Sequence, residues 1–161
     1  MIRDVTLYDA KKIADIYNYY IKETIITFEY DTVSEDDIKK RIEKVQHKGF
    51  PFFVYEKNDE IIGYAYLSNW RERAAYDITL ETSVYLDKTA IGSGIGSILY
   101  KELIDRAKRS DIHSLIGVVS LPNNESQKLH KKFNFELVGC FKESGIKFNK
   151  LIDVEFWQLV L

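Results

Sequence analysis

The chain has 161 residues, of which 45% are hydrophobic and 30% charged, and its formal net charge is −2 at pH 7. This length and composition predict one water-soluble domain over residues 1–161. No apolar run approaches the ~20 residues of a membrane span, the N-terminus lacks a signal-peptide core, and the charge gives no reason to expect nucleic acid. A single cysteine, Cys140, excludes a disulfide framework or a cysteine-cluster metal site. We therefore expect a cytoplasmic protein with no membrane or nucleic-acid partner.

Hydrophobic periodicity and turn residues predict eleven secondary-structure elements. Apolar residues recur every three to four positions in helices, and strands show alternation or short apolar runs between polar turns. Asp9 and Ser34 are candidate helix caps. In chain order the predicted elements are a strand at 2–5, a helix after Asp9, a helix at 34–47, strands at 51–55, 61–67 and 78–86, a helix at 94–109, a strand at 115–119, a helix from 122 through 133, and strands at 135–141 and 153–161.

The strand at 78–86 contains an acidic residue away from either end. Successive side chains of a strand point to opposite faces, so residues 79, 81, 83 and 85 share one face and the even-numbered residues share the other. Glu81 therefore lies in mid-strand and not on a loop.

The most distinctive segment is Ile-Gly-Ser-Gly-Ile-Gly at 91–96, between this strand and the next helix. Alternate glycines let backbone N–H groups converge, and the helix adds the positive end of its dipole, so the segment can cradle phosphate. The chain has no GxxxxGK[ST] motif, and Ser97 stands where a dinucleotide-binding fingerprint needs glycine. On these residues alone, a phosphate site and an ordinary tight turn both stay open.

Several further motifs follow one another in a fixed order. They are Ile16-Tyr17-Asn18, Thr27-Phe28-Glu29, Gly63-Tyr64-Ala65, the segment 70–76 (Trp-Arg-Glu-Arg-Ala-Ala-Tyr), the segment 81–85 (Glu-Thr-Ser-Val-Tyr), Leu129-His130, and Gly145-Ile146-Lys147 with Asp153 and Gln158. With the glycine loop, they resemble the GCN5-related N-acetyltransferase (GNAT) superfamily, in its phosphinothricin and methionine sulfoximine acetyltransferase branch, over essentially the whole chain. The resemblance implies an α/β (α+β) fold of order βααβββαβαββ, with a mixed, mostly antiparallel seven-stranded sheet flanked by four helices.

The resemblance also implies acetyl-CoA as co-substrate and no metal. The implied cofactor-binding residues are Val84, Tyr85, Ile91, Gly92, Ser93, Gly94, Ile95, Gly96, Ser97, Asn123 and Ser126. Ile91 stands where the superfamily usually has arginine or glutamine, so we expect acetyl-CoA binding weakened by about 1–3 kcal/mol. Lys131 and Lys132 fit either a solvated helix end or a contact to the 3′-phosphate.

Acetyl transfer to an amine needs a base, because the amine is mostly charged at neutral pH. Glu81 matches the proposed base of the family, and partial burial would raise its pKa. His130 is a second catalytic candidate, with a purely structural histidine as the alternative. Cys140 lies in an apolar strand and fits a small core residue better than an acetyl-cysteine intermediate. Direct transfer is therefore the preferred mechanism.

The expected acceptor is a small-molecule amine. Arg71 and Arg73 could hold the carboxylate or the phosphinate or sulfoximine end of an amino-acid analogue, with one of them open to a merely structural role. Phe28 and Tyr76 would line the apolar side, and Lys147 is a weaker third cation.

Three functions remain in competition at this level. The first is α-amino acetylation of a small amino-acid-like compound, the second acetylation of a peptide or protein N-terminus, and the third a non-catalytic acyl-CoA-binding sensor. Homodimers are common in this branch, and the eleven tyrosines and nine phenylalanines suit an interface or a core equally. The sequence leaves the oligomeric state open.

Overall fold

A computed structural model describes all residues, 1–161. The eleven predicted elements are present in the predicted order. They are β1 (Ile2–Asp4), α1 (Ala10–Glu23), α2 (Glu35–His47), β2 (Phe52–Lys57), β3 (Glu60–Asn69), β4 (Thr79–Leu86), α3 (Ile95–Lys108), β5 (Ser114–Ser120), α4 (Asn124–Lys132), β6 (Glu136–Lys147) and β7 (Lys150–Val160). None of the helices combines the length and the apolar character that crossing a bilayer requires.

Two local predictions need correction. Asp9 does not cap α1, because its carboxylate accepts the backbone N–H of Thr6 at 2.7 Å and forms an ion pair with Arg3 at 2.8 Å. The strand predicted at 135–141 continues to Lys147, past an irregularity in its pairing with β7. A two-residue turn at Phe148 and Asn149, both with positive φ, then closes a long β6–β7 hairpin.

The seven strands form one mixed sheet in the order β1-β2-β3-β4-β5-β7-β6. Every neighbouring pair is antiparallel except β4 and β5, which are parallel. This agrees with the predicted fold class. The parallel pairing covers only three residue pairs, from Thr79 and Ser114 to Glu81 and Ile116. Beyond this point β4 and β5 separate, so their C-terminal halves leave a gap in the middle of the sheet.

The helices cover both faces of the sheet. A cluster of 16 buried residues joins α1 and α2 to one face, and a cluster of 15 joins α3 to the other. In β4 the alternation is as predicted, since Leu80 belongs to the α3 cluster and Tyr85 packs against the α1–α2 cluster. Glu81 therefore lies on the α1–α2 face, while the second catalytic candidate, His130, packs among residues of the α3 cluster.

Candidate active site

The gap between β4 and β5 opens into a cleft of about 340 Å³. Residues from both faces of the sheet line it, because the separation of the strands lets side chains from either side reach the same space. Seven of the predicted site residues are among its lining residues: Phe28, Glu81, Val84, Tyr85, Asn123, Ser126 and His130. The structure therefore brings both predicted catalytic residues, Glu81 and His130, to one cavity.

Glu81 lies at the point where the strands part. Its neighbour on β3 is Ser68, and both residues line the cleft. Burial raises the pKa of the Glu81 carboxyl above its ordinary value, and no nearby cation or hydrogen-bond donor offsets this effect. A carboxylate with a raised pKa is a better proton acceptor near neutral pH than an ordinary surface glutamate.

His130 is buried, with 5% of its surface exposed. Its Nδ1 lies 2.7 Å from the carbonyl oxygen of Ser126, which can only accept, so Nδ1 carries the proton. Nε2 has no hydrogen-bond partner. Burial lowers the pKa of His130, which favours the neutral ring. A neutral imidazole in this tautomer can accept a proton at Nε2 but has none there to donate.

Close packing fixes the His130 ring. The ring makes edge-on contacts with Tyr100 and Phe135 and lies 5.9 Å, centroid to centroid, from Trp157. A Cβ atom added to Gly117 of β5 would lie 1.9 Å from Nε2, so this position has room for glycine only. The orientation of His130 therefore depends on both aromatic packing and a bare backbone opposite it.

The glycine loop has the geometry of an anion site. Gly92 and Gly94 have φ of +80° and +85°, a conformation that side chains other than glycine rarely adopt. The N–H groups of Gly92, Gly94, Ile95 and Gly96 donate to no backbone carbonyl, and they lie at the N-terminus of α3. These free donors fit the phosphates of acetyl-CoA.

The side chains around the glycine loop differ in what they could offer a phosphate. Ile91 is 53% exposed and supplies no side-chain donor. Lys132 reaches the loop, with Nζ 3.0 Å from Ser97 Oγ, and so adds a cation beside the free N–H groups. Lys131 lies instead over the ring of Trp157. Asn123 caps α4 through Oδ1, which accepts the N–H of Ser126 at 3.1 Å and leaves the amide NH₂ available.

The segment between α1 and α2 forms one wall of the cleft and is fastened to the end of β6. The Phe28 ring lies against Gly145, where an added Cβ would come within 2.3 Å of a ring carbon. The Tyr30 hydroxyl donates to the carbonyl of Ile146. Lys147 is 2% exposed, and its Nζ donates to the carbonyl of Thr27 at 2.6 Å. The structure thus places Lys147 behind the wall and not in the cleft.

The structure does not bring Arg71, Arg73 and Tyr76 to the cleft. All three side chains are exposed. The Arg71 guanidinium lies over the Trp70 ring, 5.5 Å from its centroid, and lines a second, neighbouring cavity. Arg73 and Tyr76 line neither cavity.

Sequence reasoning missed Tyr100 as a site residue. Its hydroxyl lies 3.0 Å from Thr82 Oγ1, and it lines the cleft beside His130. Burial raises the pKa of Tyr100, so the hydroxyl stays protonated and can donate. In the sequence Tyr100 falls on the apolar face of a predicted helix, which signals a core residue and conceals a polar role.

Similarity to known proteins identifies the family. The sequence model of the acetyltransferase (GNAT) domain family matches residues 2–156. The chain belongs to the GNAT family. It is similar to the phosphinothricin N-acetyltransferase of Streptomyces coelicolor, with 35% identity over 93% of this chain and 90% of that protein. It is also similar to the L-methionine sulfoximine/L-methionine sulfone acetyltransferase of Salmonella typhimurium, with 32% identity over 95% of this chain and 90% of that protein.

The solved structure of a related acetyltransferase supports the same family assignment. The phosphinothricin acetyltransferase of Sinorhizobium meliloti, solved in complex with acetyl-CoA, superposes with a TM-score of 0.97 at 33% identity, covering 100% of this chain and 88% of that one. This GNAT protein is therefore an acetyltransferase that uses acetyl-CoA. The chain has no cluster of three or more His, Cys, Asp and Glu side chains placed to hold a metal ion.

Proposed function

We propose that this GNAT protein acetylates the α-amino group of a small amino-acid-like compound, of the phosphinothricin or methionine sulfoximine type, with Glu81 as the general base. The observation that carries the proposal is the position of Glu81, which lies desolvated and unpaired where β4 and β5 separate. The relatives named for such substrates support the choice of acceptor.

Residues of the cleft and of the glycine loop supply the groups that direct acetyl transfer needs. Acetyl-CoA brings the acetyl group as a reactive thioester. The N–H groups of the 91–96 loop and the cation of Lys132 hold its phosphates. Beyond Glu81, β4 pairs with β3 on one side and has no strand partner on the other. This free edge offers backbone N–H groups that can polarise the thioester carbonyl.

Glu81 then takes a proton from the acceptor ammonium, directly or through a water molecule. The freed nitrogen forms a bond to the thioester carbonyl carbon, the carbon–sulfur bond breaks, and CoA leaves as a thiolate, while the nitrogen loses its second proton as the amide forms. The Tyr100 hydroxyl, which lines the cleft, can donate its proton to the thiolate as it takes up the proton released by the nitrogen, and so ends neutral. Neutral His130 has no proton at Nε2 to give. His130 serves either as a second proton acceptor or as a structural part of the wall.

The expected roles of Arg71 and Arg73 rest on the resemblance alone, because both side chains lie outside the cleft. Acetylation of a peptide N-terminus is therefore the rival within the same chemistry, since it needs no carboxylate clamp. The sensor alternative is disfavoured by the acetyltransferase activity of the family and by the desolvated Glu81. The cytoplasmic location and the homodimer stay predictions.

Release of free CoA from acetyl-CoA tests the proposal. The acceptor panel holds methionine sulfoximine, phosphinothricin, methionine sulfone, free amino acids, polyamines and N-terminal peptides, with Glu81→Gln as the matched control at the same acetyl-CoA occupancy. Saturable turnover of the first three that is lost in the variant supports the proposal. Turnover of peptides alone favours the rival, and acetyl-CoA binding without turnover of any amine overturns both.

A further inference from the structure

Glu155 of β7 is a buried carboxylate to which the acetyl-transfer chemistry assigns no role. It is 7% exposed, does not line the cleft, and forms no ion pair with a lysine, arginine or histidine. A charge taken out of water without a cation is costly unless hydrogen bonds compensate for it. The hydrogen bonds of Glu155 therefore show what this residue holds in place.

Two neutral donors from different elements converge on the Glu155 carboxylate. The side-chain amide of Gln127, on α4, donates to both oxygens, at 3.1 and 3.0 Å. The indole N–H of Trp157, two residues further along β7, donates to Oε2 at 2.9 Å. A carboxylate suits this place because its oxygens only accept, so it satisfies both donors at once. Glu155 thus bonds helix α4 to strand β7.

Few apolar side chains hold α4 to the rest of the protein. Of its nine residues only His130 is buried, and Leu129 is partly buried against the α3 cluster. The indole held by Glu155 adds two contacts, since the Trp157 ring lies 5.9 Å from the His130 ring, centroid to centroid, and the Lys131 ammonium lies over it. A helix this short depends on such tertiary contacts for its stability and position.

Both ends of α4 lie at the expected acetyl-CoA site. Asn123 caps the N-terminus and lines the cleft, with an amide NH₂ that the cap does not use. Lys132, the last residue of the helix, reaches Ser97 of the glycine loop. Gln127 lies between these two ends, so its bond to Glu155 restrains both of them.

We propose that Glu155 is a positioning residue for acetyl-CoA. Its carboxylate fastens the middle of α4 to β7, and α4 presents Asn123 and Lys132 to the cofactor. The inference rests on the proposed part of these two residues in holding acetyl-CoA, and it is independent of which amine accepts the acetyl group. Because Glu155 does not line the cleft, it acts through the helix.

Calorimetric titration with acetyl-CoA compares Glu155→Leu with Glu155→Gln. Leucine has a similar size but accepts no hydrogen bond, so α4 loses its tether and the dissociation constant should rise at least fivefold. Glutamine keeps the bonds without the charge, because its carbonyl can accept the indole N–H and its NH₂ can donate to a reoriented Gln127 amide. Its dissociation constant should stay within twofold of wild type. So should that of Glu136→Leu, the control at an exposed acid of β6.

A second variant tests the tether from the helix side. Gln127→Leu removes the bond to α4 and leaves the bond between Glu155 and Trp157, so the core of the sheet is untouched. Acetyl-CoA binding should weaken at least threefold. Lys128→Leu, at the exposed next position of the same helix, should change binding less than twofold. Urea unfolding sets a temperature at which all the variants are fully folded.

The KM for the acceptor separates positioning of the cofactor from a general loss of structure. At saturating acetyl-CoA it should change less than twofold in every variant, because the wall at Phe28 is held by β6 and not by α4. The inference is overturned if folded Glu155→Leu and Gln127→Leu bind acetyl-CoA as the wild type does. It is also overturned if Glu155→Gln is impaired as much as Glu155→Leu, or if the acceptor KM rises together with the dissociation constant.

A failure of the proposed function has a different signature. The wild type would then bind acetyl-CoA but turn over no amino-acid analogue, and the comparison of dissociation constants among the variants would still decide the role of Glu155.

Discussion

Glu81 and Ile116 form the last residue pair of the parallel ladder between β4 and β5. The next residues of the two strands form no further ladder pair, so the Glu81 carboxyl lies at the corner where the cleft begins. Burial desolvates the carboxyl, and its place in the lining of the cleft leaves it within reach of a ligand there. The group is therefore both desolvated and accessible at the point where the two strands part.

Glu81→Gln should lower kcat by about 100-fold to 10,000-fold, the usual contribution of a general base. The dissociation constant of acetyl-CoA should change little, because the glycine loop is untouched. In the wild type kcat/KM should rise with pH through a midpoint above the ordinary glutamate value, since burial raises the pKa. Steady-state kinetics from pH 5 to 9 measure both. An unchanged kcat in the variant across this range would remove Glu81 from the role.

His130→Gln separates the catalytic role of this residue from its structural one. Burial lowers the pKa of His130 in the folded chain, so the unfolded chain takes up the proton first as the pH falls below about 6.5. The wild type should therefore lose stability relative to the variant between pH 7.5 and 5.5, by at most about 1.4 kcal/mol per pH unit. Urea unfolding at both pH values measures this. If the wild type instead gains stability relative to the variant as the pH falls, the folded His130 ring is charged.

Kinetics of the same variant decide the catalytic role. A fall in kcat of more than about tenfold, at a pH where the variant is fully folded, supports a role for Nε2 in proton transfer. Near-normal kcat makes His130 structural.

Gly117→Ala should destabilise the fold and reduce activity together. The new methyl group would lie 1.9 Å from His130 Nε2, so the ring has to move out of its aromatic surroundings. Overpacking of this kind costs about 1–3 kcal/mol. The control is Gly139→Ala, where an added Cβ has no atom within 4 Å. Equal free energies of unfolding for the two variants, by urea titration, would contradict the packing described for His130.

Lys147→Met should loosen the wall of the cleft without touching the cofactor site. The carbonyl of Thr27 loses its donor inside the protein, at a cost of about 1–3 kcal/mol. We expect a higher KM for the acceptor and an unchanged dissociation constant for acetyl-CoA, because Phe28 is held by this segment. Lys150→Met, at the exposed end of the same hairpin, is the control. If both variants have the wild-type KM, Lys147 does not position the wall.

Ile91→Arg should tighten acetyl-CoA binding. Ile91 is exposed beside the free N–H groups of the loop, so an arginine there can reach a phosphate without displacing core residues. A hydrogen bond to a charged group of about 1–3 kcal/mol corresponds to about a 5-fold to 150-fold lower dissociation constant. Calorimetry measures it, with Ile91→Ala as the control that adds no donor and should stay within twofold of wild type. Equal affinities for all three proteins would mean that the side chain at 91 does not contact the cofactor.

The local sequence pattern was enough to predict most of the secondary structure and part of the site. Alternation along residues 78–86 put Glu81 on the face opposite Leu80, and the spacing of glycines placed a left-handed, donor-rich turn before α3. Both follow from the period of a strand or the φ that glycine allows, which depend on neighbours in the chain. Where a polar group had a nearby competitor, local reasoning failed, as with Asp9, whose carboxylate binds Thr6 and Arg3 instead of capping α1.

Only the tertiary structure decided which residues of these elements come together in the active-site cleft. The site depends on where β4 and β5 stop pairing, and that is set by long-range contacts that periodicity does not record. For the same reason the structure separates Arg71 from the cleft, turns Lys147 toward the carbonyl of Thr27, and brings Tyr100 from an apolar helix face to the side of His130. Sequence determined which chemical groups each element carries, and packing across the sheet determined which of them share a cavity.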